Sequence, residues 1–459
     1  MSVEKALAHY TEHRNDHLKD LMHLVRIPSV SFDGFPPQEV VRSAEAVAQL
    51  LTTRGLQNVS ILTLEGAHPY VYGDWCKAPG KPTVLLYAHH DVQPPGDLSI
   101  WKTKPFEPAL IDGRLYGRGA ADDKAGVVAN TAAIASWLQG AGTLPVNVKV
   151  IVEGEEEVGS DHLHEFLSRH KERLQADIMV LSDAGNFDTG LPSLTVSLRG
   201  LVVVEAEVRS LRNSVHSGMW GGPVPDPAAG LAKALATLHD AEGRIAIPGI
   251  YDRIRPLTPE ERKDYDRLEV TEPLFRRQIG MLDSAKLLNR GKNPYEVIWR
   301  EPSLTVNAIQ ASTKEQARNI ICDSAWARVG IRIVPDMDPV EVRDALTAHL
   351  KRHTPWGLEM TVRPLVCDTW WMTDPTGPVF DKARRAFTAG YGRETVFIGC
   401  GGSIPFVGPF ATALGGAPAL LIGVEDPYTN AHGENESLSL ADLDGAVRGL
   451  IHLFGLLGE

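Results

Sequence analysis

The stretch that decides the fold is Thr83-Val84-Leu85-Leu86-Tyr87-Ala88-His89-His90-Asp91. Its first six residues form a β-branched and apolar run, which is typical of a strand buried on both faces of a sheet. Polar side chains begin abruptly at His89, where we expect the strand to end. Because binding sites in open α/β sheets form beyond the carboxyl ends of strands, the pattern predicts an α/β protein with a polar site at this edge.

The same arrangement of a predicted strand followed by a polar cluster recurs three times. The runs are 146–152 before Glu155-Glu156-Glu157, 178–181 before Ser182-Asp183, and 418–424 before 426–432. Gly154 and Gly159 flank the three glutamates. A solvated charge run needs no such glycines, whereas a tight turn that brings the backbone close to an ion does. Four predicted strands therefore direct acidic residues and histidines toward one place.

These clusters carry the chemistry of a metal site. Carboxylate and imidazole groups are the ligands of zinc or manganese where thiolates are absent. Two ions a few ångströms apart need about five ligands, one of them a shared carboxylate. Taken alone, each cluster is more often a solvated surface feature. Together with Asp122-Asp123-Lys124 they predict a hydrolase with two divalent metal ions.

The clusters resemble the motifs of the M20 metallopeptidases, and within them the branch of carnosinase and cytosolic nonspecific dipeptidase. Four stretches carry the resemblance: AHHDVQP at 88–94, YGRGAADDK at 116–124, EGEEEVGS at 153–160 and AHGENE at 431–436. The resemblance implies that five residues bind the two metals: His89 and Asp183 on one side, Glu157 and His432 on the other, and Asp122 as the bridge.

The resemblance also implies two residues that support the chemistry. Asp91 would hold the His89 ring through its second nitrogen. Glu156 would be the general base, which takes a proton from metal-activated water and returns it to the leaving amine. The residues alone do not choose between Glu155 and Glu156; the Gly159-Ser160 pair of the family pattern selects Glu156.

A change of pattern after Asp183 indicates an inserted domain. Alternating runs at 194–197, 201–208 and 325–334 predict strands, and 227–289 and 340–352 are helical in pattern. We expect an α/β catalytic domain, with a mixed, mostly parallel sheet flanked by helices, over 1–192 and 371–459. An α+β domain over 193–370 would interrupt it. In the resembled family this insertion is a lid that also forms the dimer contact, so a homodimer is expected.

The resemblance extends to substrate-binding residues. His216 would reach the active site of the partner subunit and stabilise the carbonyl oxygen in the transition state. Arg332 would hold the terminal carboxylate of the substrate through its planar guanidinium. Asn319, Gly402 and Ser403 would complete the substrate site.

One position departs from the resembled branch. Gly399-Cys400 stands where these dipeptidases carry arginine and glutamate, and that glutamate receives the free amino terminus. A thiol cannot replace a carboxylate opposite an ammonium group.

Three functions therefore remain open. The first is a di-metal exopeptidase that cleaves dipeptides or short peptides. The second is an N-acyl-amino-acid amidohydrolase or a carboxypeptidase acting on blocked or modified peptides. The third is a non-enzymatic binding protein, which the complete ligand set and Glu156 argue against. Zinc is the expected metal, with manganese or cobalt as alternatives.

Composition excludes several other classes. At 459 residues and 43% hydrophobic content, the chain can bury large cores. The net charge of -12 argues against a nucleic-acid partner, whose phosphates require basic surfaces. We find no apolar stretch long enough for a transmembrane helix and no signal-peptide core within residues 1–20. A cytoplasmic protein without a membrane partner is expected.

Overall fold

A computed structural model of the chain describes residues 2–268, 270–402, 404 and 407–459. The chain forms two compact units. The first comprises Met1–Val196, Thr373–Ile398 and Pro405–Glu459, and the second comprises Ser197–Met372 and Gly399–Ile404. The predicted fold class is confirmed: a mixed sheet flanked by helices in the first unit and an α+β arrangement in the second.

The helices and strands alternate along the chain. In chain order the helices are α1 (Val3–Val25), α2 (Pro37–Thr53), α3 (Lys124–Ala135), α4 (Leu163–Leu174), α5 (Ser217–Trp220), α6 (Pro227–Ala236), α7 (Pro259–Arg267), α8 (Glu272–Ile279), α9 (Pro294–Arg300), α10 (Pro339–Arg352), α11 (Pro378–Tyr391), α12 (Val407–Ala413) and α13 (Leu440–Leu457). The strands are β1 (Gln57–Leu62), β2 (Tyr70–Trp75), β3 (Thr83–His89), β4 (Ala109–Ile111), β5 (Arg114–Tyr116), β6 (Asn147–Glu153), β7 (Ile178–Gly185), β8 (Ser193–Leu198), β9 (Gly200–Arg209), β10 (Val215–His216), β11 (Ser303–Gln310), β12 (Ile320–Ile321), β13 (Ser324–Ile333), β14 (Glu359–Asp368), β15 (Trp371–Met372), β16 (Val396–Cys400), β17 (Ala419–Glu425) and β18 (Ser437–Ser439).

The sheet of the first unit has a parallel centre. Its strand order is β1-β2-β6-β3-β7-β17-β8, and β16 also pairs with β8. The pairs β6 with β3, β3 with β7 and β7 with β17 are parallel, whereas β1 with β2, β2 with β6 and β17 with β8 are antiparallel. The four predicted strands therefore end at one edge. β7 continues past the predicted end at residue 181, so Asp183 lies inside the strand.

Helices cover this sheet and fix one end of the site. α3 is buried along its whole length because its residues are mostly alanine and valine, and it packs against β3, α1 and α13. Its N-cap is Asp123, whose side chain accepts a hydrogen bond from the Gly126 N–H. The start of α3 thus holds the Asp122-Asp123 pair in place.

The second unit is built on an antiparallel sheet of order β11-β13-β9-β14, against which α6 and α10 pack. Alternate residues of β9, Val202 to Val208, point into its core. The two neighbouring strands predicted at 194–197 and 201–208 belong to different sheets, since β8 pairs with β17 and β9 with β13 and β14. No helix among the described residues is long and apolar enough to cross a membrane.

Candidate metal centre

The first group of ligand atoms forms where β3 and β7 end side by side. The Nε2 atom of His89 lies 3.0 Å from Oδ1 of Asp122 and 3.8 Å from Oδ1 of Asp183. His89 is fully buried, and its backbone N–H donates to the carboxylate of Asp123. The three residues offer ligand atoms that all lie within 4.8 Å of one another, a spacing that fits one metal ion.

A second group shares the Asp122 carboxylate. Its other oxygen, Oδ2, lies 3.0 Å from Nε2 of His432, and the same nitrogen lies 3.3 Å from Oε2 of Glu157. Asp122, Glu157 and His432 again offer atoms within 4.8 Å of one another. Asp122 therefore presents one oxygen to each group, as a bridging ligand must.

The electrostatics of the protein groups fit two cations. Burial and the neighbouring carboxylates Asp122 and Glu156 raise the pKa of Glu157 well above its ordinary value. Burial likewise raises the pKa of Asp183 well above its ordinary value. Collecting carboxylates in a buried site is unfavourable unless positive charge is added. Imidazole and carboxylate without thiolate suit zinc, manganese or cobalt.

Asp91 connects the His89 side of the site with the glutamate turn. It is fully buried, and Nδ1 of His89 lies 3.1 Å from its main-chain carbonyl oxygen and 3.4 Å from its Oδ1. Its carboxylate accepts hydrogen bonds from the Ser31 hydroxyl at 2.7 Å and from the N–H groups of Glu156 and Glu157 at 3.3 and 3.1 Å. Burial opposes its ionisation, but hydrogen bonds from His89 and Ser31 hold its pKa below the ordinary value.

The three consecutive glutamates have different surroundings. Glu155 accepts hydrogen bonds from the Tyr70 hydroxyl at 2.9 Å and the His162 ring at 3.0 Å. Among the described residues, none donates a hydrogen bond to the Glu156 carboxylate. Burial raises the pKa of Glu156 to about 7, with Asp122 adding to the rise and His89 opposing it. Two cations would lower this pKa and favour the ionised carboxylate of Glu156.

Glycine backbone geometry supports the turn that carries these glutamates. Gly159 has φ of 100°, in the left-handed region that favours glycine. A Cβ atom at Gly154 would lie 2.5 Å from the carbonyl oxygen of Pro69. Both glycines singled out in the sequence are therefore required by the backbone.

Three residues around the ligands carried no role in the sequence analysis. Gln93 donates to the Glu157 carboxylate twice, from its backbone N–H at 3.0 Å and from Nε2 at 2.7 Å. Arg118 and Glu436 form a buried ion pair at 2.7 Å between the chain segments of Asp122 and His432. All three lie inside the motifs quoted above, and this position is the signal in the sequence that could have identified them. Their roles were missed because side chains that bind backbone groups leave no periodic pattern in the sequence.

In the second unit, the structure places His216 beside Asn319. β10 pairs with β12, and the Ser217 N–H donates to the Asn319 carbonyl at 3.1 Å. The exposed His216 ring accepts a hydrogen bond at Nδ1 from the Gly218 N–H at 3.1 Å. The neutral ring therefore carries its proton on Nε2, which makes that nitrogen a donor.

Arg332 lies on β13, in the same unit as the loop 399–402. Arg199, which has no predicted role, fixes that loop: its backbone N–H donates to the Gly402 carbonyl and its Nε to the Gly401 carbonyl. Burial and the positive charge of Arg332 lower the pKa of Arg199 to about 10. The Gly402 N–H donates to the sulfur of Cys400 at 3.3 Å. Ser403 lies outside the described residues.

The buried, shared-carboxylate site at the edge of a mixed sheet defines a di-metal hydrolase, and comparison with known proteins gives its family. Residues 85–454 match the model of Peptidase family M20/M25/M40, so the chain belongs to this family and is a metallopeptidase. The predicted resemblance is confirmed.

Similar proteins span most of the chain. The cysteinylglycine-S-conjugate dipeptidase of Corynebacterium striatum is 33% identical over 79% of this chain and 78% of that protein. The Beta-Ala-His dipeptidase of Rattus norvegicus is 30% identical over 95% of this chain and 92% of that protein. Among solved structures, human carnosine dipeptidase 1 has a TM-score of 0.88 at 28% identity, covering 100% of this chain and 99% of that one.

Proposed function

We propose that the protein is a di-metal dipeptidase that hydrolyses the amide bond of dipeptides or short peptides. His89, Asp122 and Asp183 would hold one ion, and Asp122, Glu157 and His432 the other. The observation that carries the proposal is the division of the Asp122 carboxylate between two histidines, 3.0 Å from each. The dipeptidase names of the similar proteins support the reaction class.

The protein groups around the ions have separate tasks. When bound, two divalent ions, zinc in preference to manganese or cobalt, lower the pKa of water and polarise the scissile carbonyl. Glu156 accepts the proton of the attacking water and delivers it to the leaving amine. Asp91 keeps Nδ1 of His89 engaged, so that Nε2 faces Asp122.

The substrate is bound by residues of the second unit. Arg332 pairs with the terminal carboxylate, and Asn319 and Gly402 line the substrate site. In a homodimer, His216 donates from Nε2 to the carbonyl oxygen in the partner's active site, where charge develops in the transition state. The hydrogen bond from Gly218 to Nδ1 supports this donor role.

The test compares free dipeptides with their N-acetylated forms, using metal-reconstituted wild type and Glu156→Gln. We expect wild type to cleave the free dipeptides and Glu156→Gln to lose about a hundredfold or more in kcat. Glu155→Gln is the matched control, because its carboxylate is bound by Tyr70 and His162. Full activity of Glu156→Gln would contradict the base assignment. Cleavage of blocked peptides alone would instead make the protein an N-acyl-amino-acid amidohydrolase or a carboxypeptidase.

A further inference from the structure

The Arg118–Glu436 pair joins two segments that each carry a proposed ligand of the second ion. β5 and β18 pair antiparallel, with Ser437 opposite Tyr116, and this brings the segment after β5 beside Glu436. The Gly117 N–H donates to the Glu436 carbonyl at 3.0 Å. Asp122 follows on one segment and His432 precedes on the other. The pair therefore bridges the two halves of this ligand group.

The contacts of the pair reach the backbone of both ligands. Nη1 of Arg118 donates to Oε2 of Glu436 at 2.7 Å. Its Nη2 donates to the carbonyls of His432 at 3.1 Å and Gly433 at 2.9 Å. Oε1 of Glu436 accepts from the Asp122 N–H at 3.2 Å. One buried ion pair thus holds a backbone group of Asp122 and one of His432.

The His432 segment needs such a restraint. His432 has φ of 63°, in the left-handed region that is unfavourable for a residue with a Cβ atom. Its side chain is also 60% exposed, so few packing contacts hold it. By contrast, His89 and Asp183 lie on the central strands β3 and β7 and are positioned by the sheet.

We infer that the Arg118–Glu436 pair is a positioning element that sets the affinity of the second ion, held by Asp122, Glu157 and His432. This inference rests on the proposed function. Loss of the pair releases two of the three ligands of the second ion but only the shared one of the first. Residues that orient metal ligands typically change metal affinity about 10- to 100-fold when altered. A loss of this size is expected at the second ion, with a smaller one at the first.

Calorimetric zinc titration of single-site backgrounds separates the two ions. In the Asp183→Asn background the titration reports the second ion, and in the His432→Ala background it reports the first. Adding Arg118→Lys should weaken zinc affinity about 10- to 100-fold in the Asp183→Asn background. In the His432→Ala background the loss of zinc affinity should be several times smaller. The lysine keeps the charge but cannot make the forked contacts.

Matched variants keep the test decisive. Arg114→Lys is the control, since Arg114 forms a similar pair with Asp426 at 2.7 Å that bonds none of the five proposed ligands. If Arg118→Lys does not fold, the nearly isosteric Glu436→Gln carries the test. Equal weakening at both ions, or none, would overturn the inference. Failure of wild type to bind two ions would instead overturn the proposed function.

Discussion

Replacing Asp91 with asparagine tests the connection between His89 and the glutamate turn. The buried Asp91 carboxylate meets four hydrogen-bonding groups, two at each oxygen. Asparagine preserves the shape but keeps only one acceptor oxygen. Its NH₂ group would avoid the position of Oδ1, which faces Nδ1 of His89. It would take the position of Oδ2, beside the Ser31 hydroxyl and the Glu157 N–H. The Ser31 hydroxyl can rotate toward another acceptor, whereas the backbone N–H cannot.

The magnitude of the effect follows from these contacts. A buried N–H that loses its acceptor costs about 1–3 kcal/mol, so Asp91→Asn should lower the free energy of unfolding by that amount. Because this N–H belongs to Glu157, metal affinity should also fall, about 10- to 100-fold. The turnover of the metal-loaded variant should fall with it.

Denaturant unfolding, zinc calorimetry and dipeptide turnover would measure the three effects together. Asp442→Asn is the control, because Asp442 is buried in the same unit and accepts hydrogen bonds from Asn186 and Gly190 at 3.0 and 2.9 Å, away from the site. Both of these bonds go to Oδ1, so an amide nitrogen at the Oδ2 position leaves them intact, and the variant should keep both its stability and its metal affinity. Wild-type zinc affinity in Asp91→Asn would refute the positioning role of Asp91.

Two further predictions concern the dimer and the pH dependence of stability. Mixing inactive His216→Ala with inactive Glu156→Gln subunits should restore roughly a quarter of wild-type activity, because half of the dimers are mixed and each has one intact site; no recovery would contradict the trans role. Burial lowers the pKa of His17 from 6.5 to about 3. The contribution of neutral His17 to the free energy of unfolding is therefore present above pH 6.5 and is lost as pH falls. At pH 5 the loss is about 2 kcal/mol. His17→Leu should remove this loss in urea melts at pH 5 and 7, whereas the half-buried His13→Leu should not.

The central strands were predictable because burial on both faces imposes a continuous apolar run. β3, β6 and β17 begin and end within one residue of the sequence prediction. The strands β11 and β14 of the second unit were not recognised. β14 contains Pro364, which normally argues against a strand; it is tolerated here because β14 lies at the sheet edge, with a register shift beside the proline. Edge position is a tertiary property that one sequence does not reveal.

The groups around the candidate ligands show the same limit. The candidate ligands lie close to strand ends or in turns, so local pattern and chemistry could single them out. Arg118 and Glu436 are separated by 318 positions, and their pairing exists only after β5 and β18 have paired. Arg199 is likewise defined by the loop it binds rather than by its neighbours in the chain. Such partners depend on the folded topology.

The three consecutive glutamates illustrate how the fold separates chemically identical neighbours. Glu155 is held by Tyr70 and His162, and Glu157 by Gln93, so neither carboxylate can move without losing hydrogen bonds. Asp91 binds the N–H groups of Glu156 and Glu157 and fixes the turn between them. The carboxylate between two anchored neighbours is the one that can exchange a proton without breaking the site. The freedom of the Glu156 carboxylate supports its proposed role as the base, in addition to the family pattern.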